Sequence, residues 1–367
     1  MYFEIVLICC ACTYFAVTVA LAFGVSRLKT GHNRRRFPVS VIVVARNEAH
    51  QIDRCLAALS KQDYPRHLIQ MILVNDRSED STAARMDAFC EMYGSCTRID
   101  ILHEETSLSP KKYALAKAIS KATGKALLFT DADCQPSPQW ISRMIRYFEP
   151  DVVLTAGFSP LVSGEPGWWS KILELDSLAS AIVAAGSIGL GSASTCTGRN
   201  LAFTREAFNQ TYGYAAHQQS LSGDDDLLLQ NMRRQRIGEL RYAMGRECLV
   251  PALPVTNFRD FIRQRKRHFS AGRFYTFPLK LTFFAYHLSN LMLFIGFVSS
   301  LLRGDWLSLN TALFSGKLFA DFCLMGYAAR KLYHPKILRY FLPWEFYFVL
   351  YNTIVGPAGV IGKIRWK

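Results

Sequence analysis

The chain has 367 residues, half of them hydrophobic, which is enough for one large domain or two with a sizeable core. Its formal net charge of +14 calls for anionic partners, yet the basic runs Arg34-Arg35-Arg36 and Arg263 to Arg267 adjoin apolar segments, so a membrane surface fits better than nucleic acid. Ten cysteines show no Cys/His ligand spacing, and the one CxxC, Cys9 to Cys12, lies inside the first apolar segment, so neither a zinc site nor a disulfide framework is supported, as expected in a reducing compartment.

Residues 2–24 are apolar apart from Glu4 and a few hydroxyls, long enough to cross a bilayer. The basic residues follow the segment as Arg27, Lys29 and Arg34 to Arg36. A retained anchor with the next domain on the cytoplasmic side is therefore expected over a cleaved signal peptide. Val39 to Ala45 is β-branched and apolar, the pattern of a parallel strand covered on both faces. A helix pattern over Glu48 to Gln62, a strand over Gln70 to Val74, a helix over Ala83 to Tyr93 and a strand over Ile99 to Leu102 follow. The helix Lys112 to Ala122 then leads to the strand Leu127 to Thr130. This alternation predicts a doubly wound, mainly parallel α/β sheet.

Beyond it, a helix over Gln139 to Phe148 and a strand over Val152 to Ala156 are expected. Residues 164–197 carry Trp168-Trp169 and a Gly/Ser/Ala-rich stretch without a period. A strand at 198–203, a helix start at 205–208 and a helix over Leu227 to Arg234 come next. Arg259 to Arg273 reads as a basic amphipathic helix of the membrane-surface type. Three apolar stretches close the chain, at about 279–302, 306–329 and 337–362. The first two read as spanning helices, and the third, with Pro343, Glu345 and Pro357, as spanning or re-entrant. Lys317 and Asp321, four residues apart in the second stretch, are placed to pair on one helix face.

The chemistry concentrates at Asp131-Ala132-Asp133, at the C-terminal end of the strand before it, where open α/β sheets bind ligands. Two carboxylates there are hard ligands suited to a divalent cation carrying substrate phosphates. Asp224 and Asp225 precede a helix whose N-terminus keeps a carboxylate ionised and able to accept a proton.

Five signals occur in order: Val39 to Glu48, Leu73 to Asp80, Asp131-Ala-Asp133, Gly223-Asp-Asp225 and Gln264-Arg-Lys-Arg-His268. Together they resemble the family 2 glycosyltransferases, inverting enzymes of the GT-A fold. The flanking apolar segments suit the membrane-integrated branch, which includes cellulose, chitin and hyaluronan synthases and ceramide glucosyltransferases. The resemblance implies three parts: an N-terminal transmembrane helix (1–25), a cytoplasmic GT-A domain (38–275) and a C-terminal membrane region (279–362). It implies nucleotide-sugar contacts at Ala45, Glu48 and Asp76, with Asn75 replacing the more usual preceding Asp. Lys112 is matched to the lysine of the Gly-Lys-x-x-Ala-Leu pattern. Asp131 and Asp133 take the positions that hold nucleotide and metal, Mg2+ or Mn2+. Asp225, with Asp224 second, takes that of the base. Gln264 and Arg267 match the Gln-x-x-Arg-Trp signature, in which His268 replaces the tryptophan.

The implied activity is metal-dependent, inverting transfer of a sugar, from a UDP-sugar, to a lipid or membrane-associated glycan, on a multi-pass cell-membrane protein. Transfer to polyprenyl phosphate is the alternative within that chemistry. A non-catalytic, membrane-anchored nucleotide-sugar or glycan binder is the alternative outside it, and the retained pairs 131/133 and 224/225 weigh against it.

Overall fold

The computed structural model describes residues 2–103, 108–162, 167–255, 257–332 and 335–361. Seven strands form its sheet: β1 (Val39–Ala45), β2 (Ile69–Asp76), β3 (Cys96–Ile101), β4 (Ala126–Asp131), β5 (Val152–Gly157), β6 (Leu201–Thr204) and β7 (Glu239–Ala243). Their order is β3-β2-β1-β4-β6-β5-β7. Pairing is parallel among β3, β2, β1 and β4 and between β5 and β7, whereas β6 runs antiparallel to both its neighbours. Val44 opposes Asp131 and Ala45 opposes Asn75, so β1, β2 and β4 end at one level.

The side chains of β1 explain the two-sided burial. Val39, Val41, Val43 and Ala45 enter one core with α2 (Ile52–Ser60), α3 (Thr82–Tyr93) and α5 (Trp140–Ile145). Ile42 enters the other, under α4 (Pro110–Lys121) and α6 (Trp168–Gly189). This alternation is the period-2 geometry of a strand with both faces covered. The remaining helices within this body are α7 (Arg205–Gln210), α8 (Asp226–Gln235) and α9 (Phe258–Ser270).

The aperiodic stretch is α6. It is buried on nearly every side, so no polar face marks a helical period in the sequence. Trp169 packs on Phe261 and Tyr347, whereas Trp168 is exposed. Four longer helices flank the sheet body: α1 (Tyr2–Ser26), α10 (Phe277–Leu302), α11 (Leu309–Leu332) and α12 (Phe341–Ile361). Among the described residues α1, α6 and α10 are long and apolar enough to cross a membrane; α11, expected to span, falls short because it carries Lys317, Asp321, Arg330 and Lys331, and 78% of the apolar window of α6 is buried, the mark of a core helix. The basic tail Lys363, Arg365 and Lys367 lies outside the described residues.

Lys317 and Asp321 do pair, at 3.1 Å, as their spacing on α11 requires. Glu345 of α12 joins Lys317, and the Tyr14 hydroxyl of α1 donates to Asp321 at 2.8 Å. Three helices therefore share one buried polar knot. Against the expectation from cysteine spacing, Cys90 and Cys96 are bonded, because the turn from α3 into β3 brings their Cα atoms to 4.7 Å.

Candidate active site

Asp131 closes β4, beside the end of β1. The chain turns at once, with the Cys134 amide donating to the Asp131 carbonyl at 3.1 Å. Asp133 is thereby carried below the sheet edge. Burial, and then the charge of Asp131, push the Asp133 carboxyl above the usual range, while Arg199 partly offsets this.

The second carboxylate group comes from 93 residues further on, yet it faces the first. Gly223 has φ of +81°, a left-handed conformation that a side chain resists, and it turns the chain into α8. Asp225 is the N-cap: its Oδ1 accepts from the Asp226 amide at 2.8 Å, and its Oδ2 from the Gly198 amide at 2.7 Å. Asp226 is buried, accepts from its neighbour Leu227 at 2.8 Å, and takes the Tyr275 hydroxyl on its other oxygen. Asp224 points towards β4.

Lys111, in the first turn of α4, joins the two groups. Its ammonium lies 3.2 Å from Asp131 Oδ1 and 3.2 Å from Asp224 Oδ2. Burial opposes its charge, but Asp131, Asp224 and Asp225 together outweigh that and raise its pKa. The same contact works in reverse on Asp224: burial resists ionisation, and Lys111 overrides it and holds the carboxylate below the usual range. Among the described residues no cation stands within ion-pair distance of Asp225. Burial and the neighbouring Asp224 charge raise its proton affinity, although Lys111 and two backbone amides temper the shift.

Lys112 is placed differently from its sequence assignment. It is fully buried and donates to the carbonyls of His217 at 2.9 Å and Ser220 at 2.8 Å, bracing the loop that leads to Asp224. One residue is about 100° of helix, so adjacent lysines cannot serve one site. Counting back from Ala114-Leu115 in the Gly-Lys-x-x-Ala-Leu pattern puts the lysine at 111, a signal available in the sequence.

Ala45, Glu48 and Asp76 sit at the ends of β1 and β2, next along the edge. The Asn47 amide donates to Ser78 Oγ at 3.1 Å and its side chain accepts from the Glu79 amide at 2.8 Å, which ties the two loops together. Asp76 is buried and paired with Arg77 at 2.9 Å, and Glu48 accepts from Gln51 at 2.5 Å. Asn75 donates its amide to Asp100 at 2.8 Å. An aspartate there would oppose that carboxylate, which accounts for Asn at this position.

Across the cleft α9 brings Arg267 close enough to act on Lys111 electrostatically. Gln264, Arg267 and His268 share one face of α9, by helical spacing. His268 is solvent-accessible, but the protein mass around it, and then Arg267, Arg265, Arg199 and Lys111, lower its pKa, so its ring stays neutral. The structure thus gathers Asp131, Asp133, Asp224, Asp225 and Arg267 around Lys111, with Ala45, Glu48 and Asp76 next along the sheet edge and Lys112 apart. Lys111, Arg199 and the Gly198 amide are the additions. Neither Arg199 nor Gly198 stands in a recognisable spacing.

Whether the acidic residues suit a metal is answered by their charges. Among the described residues no three His, Cys, Asp or Glu side chains converge on one point. Asp131 and Asp133 do repel each other, as the raised Asp133 carboxyl records, and a hard divalent cation would relieve that repulsion. Two carboxylates leave most of its shell for a diphosphate and water, so the donor set fits a cation that binds together with its substrate.

Residues 40–211 match the family model described as glycosyl transferase family 2. The glycosyltransferase AglE of Haloferax volcanii is 34% identical over 106 residues, 29% of this chain and 33% of that protein. The probable glycosyltransferase YdaM of Bacillus subtilis is 30% identical over 109 residues, 29% of this chain and 26% of that one. The match thus spans a third or less of the length of these curated relatives. Among solved structures, the mannosyltransferase PcManGT from Pyrobaculum calidifontis, in complex with GDP-Man and Mn2+, superposes with a TM-score of 0.60 at 18% identity. That superposition covers 95% of this chain and 99% of the other, a likeness of fold.

Proposed function

Residues 40–211 are a family 2 glycosyltransferase domain of GT-A fold, and from that premise we propose that the chain is a membrane-bound, inverting glycosyltransferase. It moves a sugar from a nucleotide-sugar to a lipid or membrane-associated glycan. The observation that carries this reading is Lys111, whose ammonium lies 3.2 Å from each of Asp131 and Asp224. It joins the strand-end carboxylates suited to a diphosphate-bound cation to the helix-start carboxylates suited to proton removal.

In this reading Ala45, Glu48 and Asp76 line the nucleotide site. Asp131 and Asp133 would hold Mn2+ or Mg2+ with the donor diphosphate, and the cation would supply positive charge to the leaving group. Lys111 and Arg267 add fixed positive charge on the same side, where negative charge develops. Asp225 takes the proton of the acceptor hydroxyl, because its proton affinity is raised while that of Asp224 is lowered. The acceptor oxygen then bonds to the anomeric carbon from the face opposite the departing diphosphate, which inverts the configuration. Asp224 holds Lys111 in place.

A membrane acceptor is favoured by what adjoins α9. The chain passes from this basic helix, through one 3-10 turn, into α10, which is apolar enough to span a bilayer. The sheet body lies on the cytoplasmic side in this reading, since basic runs flank it at both ends.

The test is a panel of UDP- and GDP-sugars offered to the purified full chain with membrane lipid extract and with polyprenyl phosphate. Products are identified by mass spectrometry, with and without chelator. A sugar-bearing lipid formed only with divalent cation is the expected result. Nucleotide-sugar binding without hydrolysis or transfer from any donor would instead mark a non-catalytic binder.

A further inference from the structure

The cation that meets the diphosphate in this reading stands on a helix with two abutments, one on the sheet body and one on the last long helix. Phe258, Phe261, Arg265 and Phe269 occupy one face of α9, and Arg267 lies on the side opposite Arg265. The Arg265 guanidinium lies 2.8 Å from Asp176 of α6; Asp176 is buried, at 5% side-chain exposure, and Arg265 is largely covered, at 14%. The guanidinium also sits over the rings of Phe261, at 5.2 Å, and of Tyr351 of α12, at 5.8 Å. On the next turn the α12 backbone presses directly on α9. A Cβ at Gly359 would come within 2.6 Å of Phe269 Cβ and 2.8 Å of the Lys266 carbonyl. Arg273, just past α9, donates to the Val360 carbonyl.

We propose that Asp176 and Arg265 are positioning residues for diphosphate binding. Their buried ion pair fixes the rotation of α9 about its axis, so that Arg267 faces Lys111 across the cleft, and Gly359 of α12 closes the seat from the other side. The physical reason is directional. Apolar packing alone tolerates small rotations, because its energy has no preferred direction. An ion pair buried this deeply resists them, because a displaced partner becomes an unpaired buried charge. α12 is on this account part of the active-site scaffold and more than an anchor.

This inference rests on the glycosyltransferase reading, and the experiment separates the two. Binding of UDP, GDP and the matching monophosphates is measured by calorimetry on the detergent-solubilised full chain with Mn2+. In Asp176→Asn the diphosphate should bind roughly tenfold more weakly or worse, the usual scale for a residue that orients a binding group. The monophosphate, which lacks the distal phosphate, should bind nearly as before. Arg265→Lys, which keeps a cation opposite Asp176, should lose less than Asp176→Asn. In an Arg267→Ala background, Asp176→Asn should add no further loss, because its effect runs through Arg267. Asp176→Asn combined with Arg265→Met leaves no unpaired buried charge, and serves if the single variant fails to fold.

Equal losses for di- and monophosphate, full additivity with Arg267→Ala, or no loss would each overturn the inference. If the unaltered chain binds neither UDP nor GDP, the glycosyltransferase reading fails, and this inference with it. If it binds them and the Asp176 variants bind equally well, only the positioning role fails.

Discussion

Adjacent residues of one type can have unrelated work. Lys111 bridges two carboxylates at the cleft, and Lys112 is spent on two carbonyls beneath it. The Asp224-Asp225-Asp226 run divides in the same way: Asp224 is paired, Asp225 caps α8 beside the cleft, and Asp226 is buried against Tyr275. Asp225→Asn keeps the shape and one of the two backbone hydrogen bonds, since its amide has a single acceptor oxygen, but removes basicity. It should slow the chemical step by roughly 10²-fold or more, with donor affinity nearly unchanged, as read by single-turnover transfer. A wild-type rate in that variant, with transfer lost in Asp224→Asn, would move the base by one residue. Asp226 gives a pH prediction. Burial, and then the Asp225 charge, raise its carboxyl from the ordinary 3.8 to about 8. Its folded pKa thus lies above its unfolded one, so the folded chain holds a proton that the unfolded chain releases. Its contribution to stability is therefore most favourable in acid, declines as pH rises from 3.8 through about 8, and is flat above. Asp226→Asn abolishes that titration. Thermal unfolding should show the variant gaining on the parent chain as pH rises towards 8, with the difference levelling off beyond it.

Among the helices, α1 and α6 approach more closely than side chains would allow. A Cβ at Gly24 would lie 2.0 Å from the Gly186 carbonyl oxygen, and one at Gly189 would lie 1.9 Å from that of Gly24. Small residues are what let two helix backbones meet in this way. The contact joins the N-terminal helix to the core helix beneath the sheet. Gly24→Leu should cost about 1–3 kcal/mol or more, the scale of overpacking in a close-packed contact. The control is Gly272→Ala, whose added Cβ meets nothing within 4 Å. Equal melting temperatures for the two variants would mean that α1 is not seated on α6. The same contact explains why α6 resembles a membrane span by composition: an apolar helix packed all round looks alike in protein and in lipid.

At the scale of the whole molecule, one hydrophobic core runs from the sheet into the long helices. Val25 of α1, Phe129 of β4, Leu175 of α6, Ala328 of α11 and Trp344 of α12 belong to the same cluster. The sheet body and the apolar helices are therefore built as one unit. The proposed topology, with the sheet body on the cytoplasmic side, can be tested by labelling. A cysteine at Met92, which is 68% exposed on α3, should react with an impermeant label only after cells are permeabilised. One at Leu307, which is 99% exposed between α10 and α11, should react in intact cells. Labelling at Met92 in intact cells would place the sheet body on the other side.

Local pattern was enough to place β1 and β2, the helices between them and the strand running into Asp131, because alternation and helical spacing report which side of an element is covered. It was enough, too, for the order of the acidic and basic motifs, and for the Lys317–Asp321 pair, whose four-residue spacing is a property of one helix. The antiparallel β6, the unannounced β7 and the helix at 168–189 depended on neighbours far away in the chain. So did the meeting of Asp131 with Asp224 through Lys111, and that of Arg265 with Asp176. Periodicity records whether a residue is covered and never by what. Sheet order and helix docking bring residues 20 to 113 positions apart within one ion-pair distance, so which lysine faces the cleft, and which carboxylate it holds ionised, was decided only when the chain closed on itself.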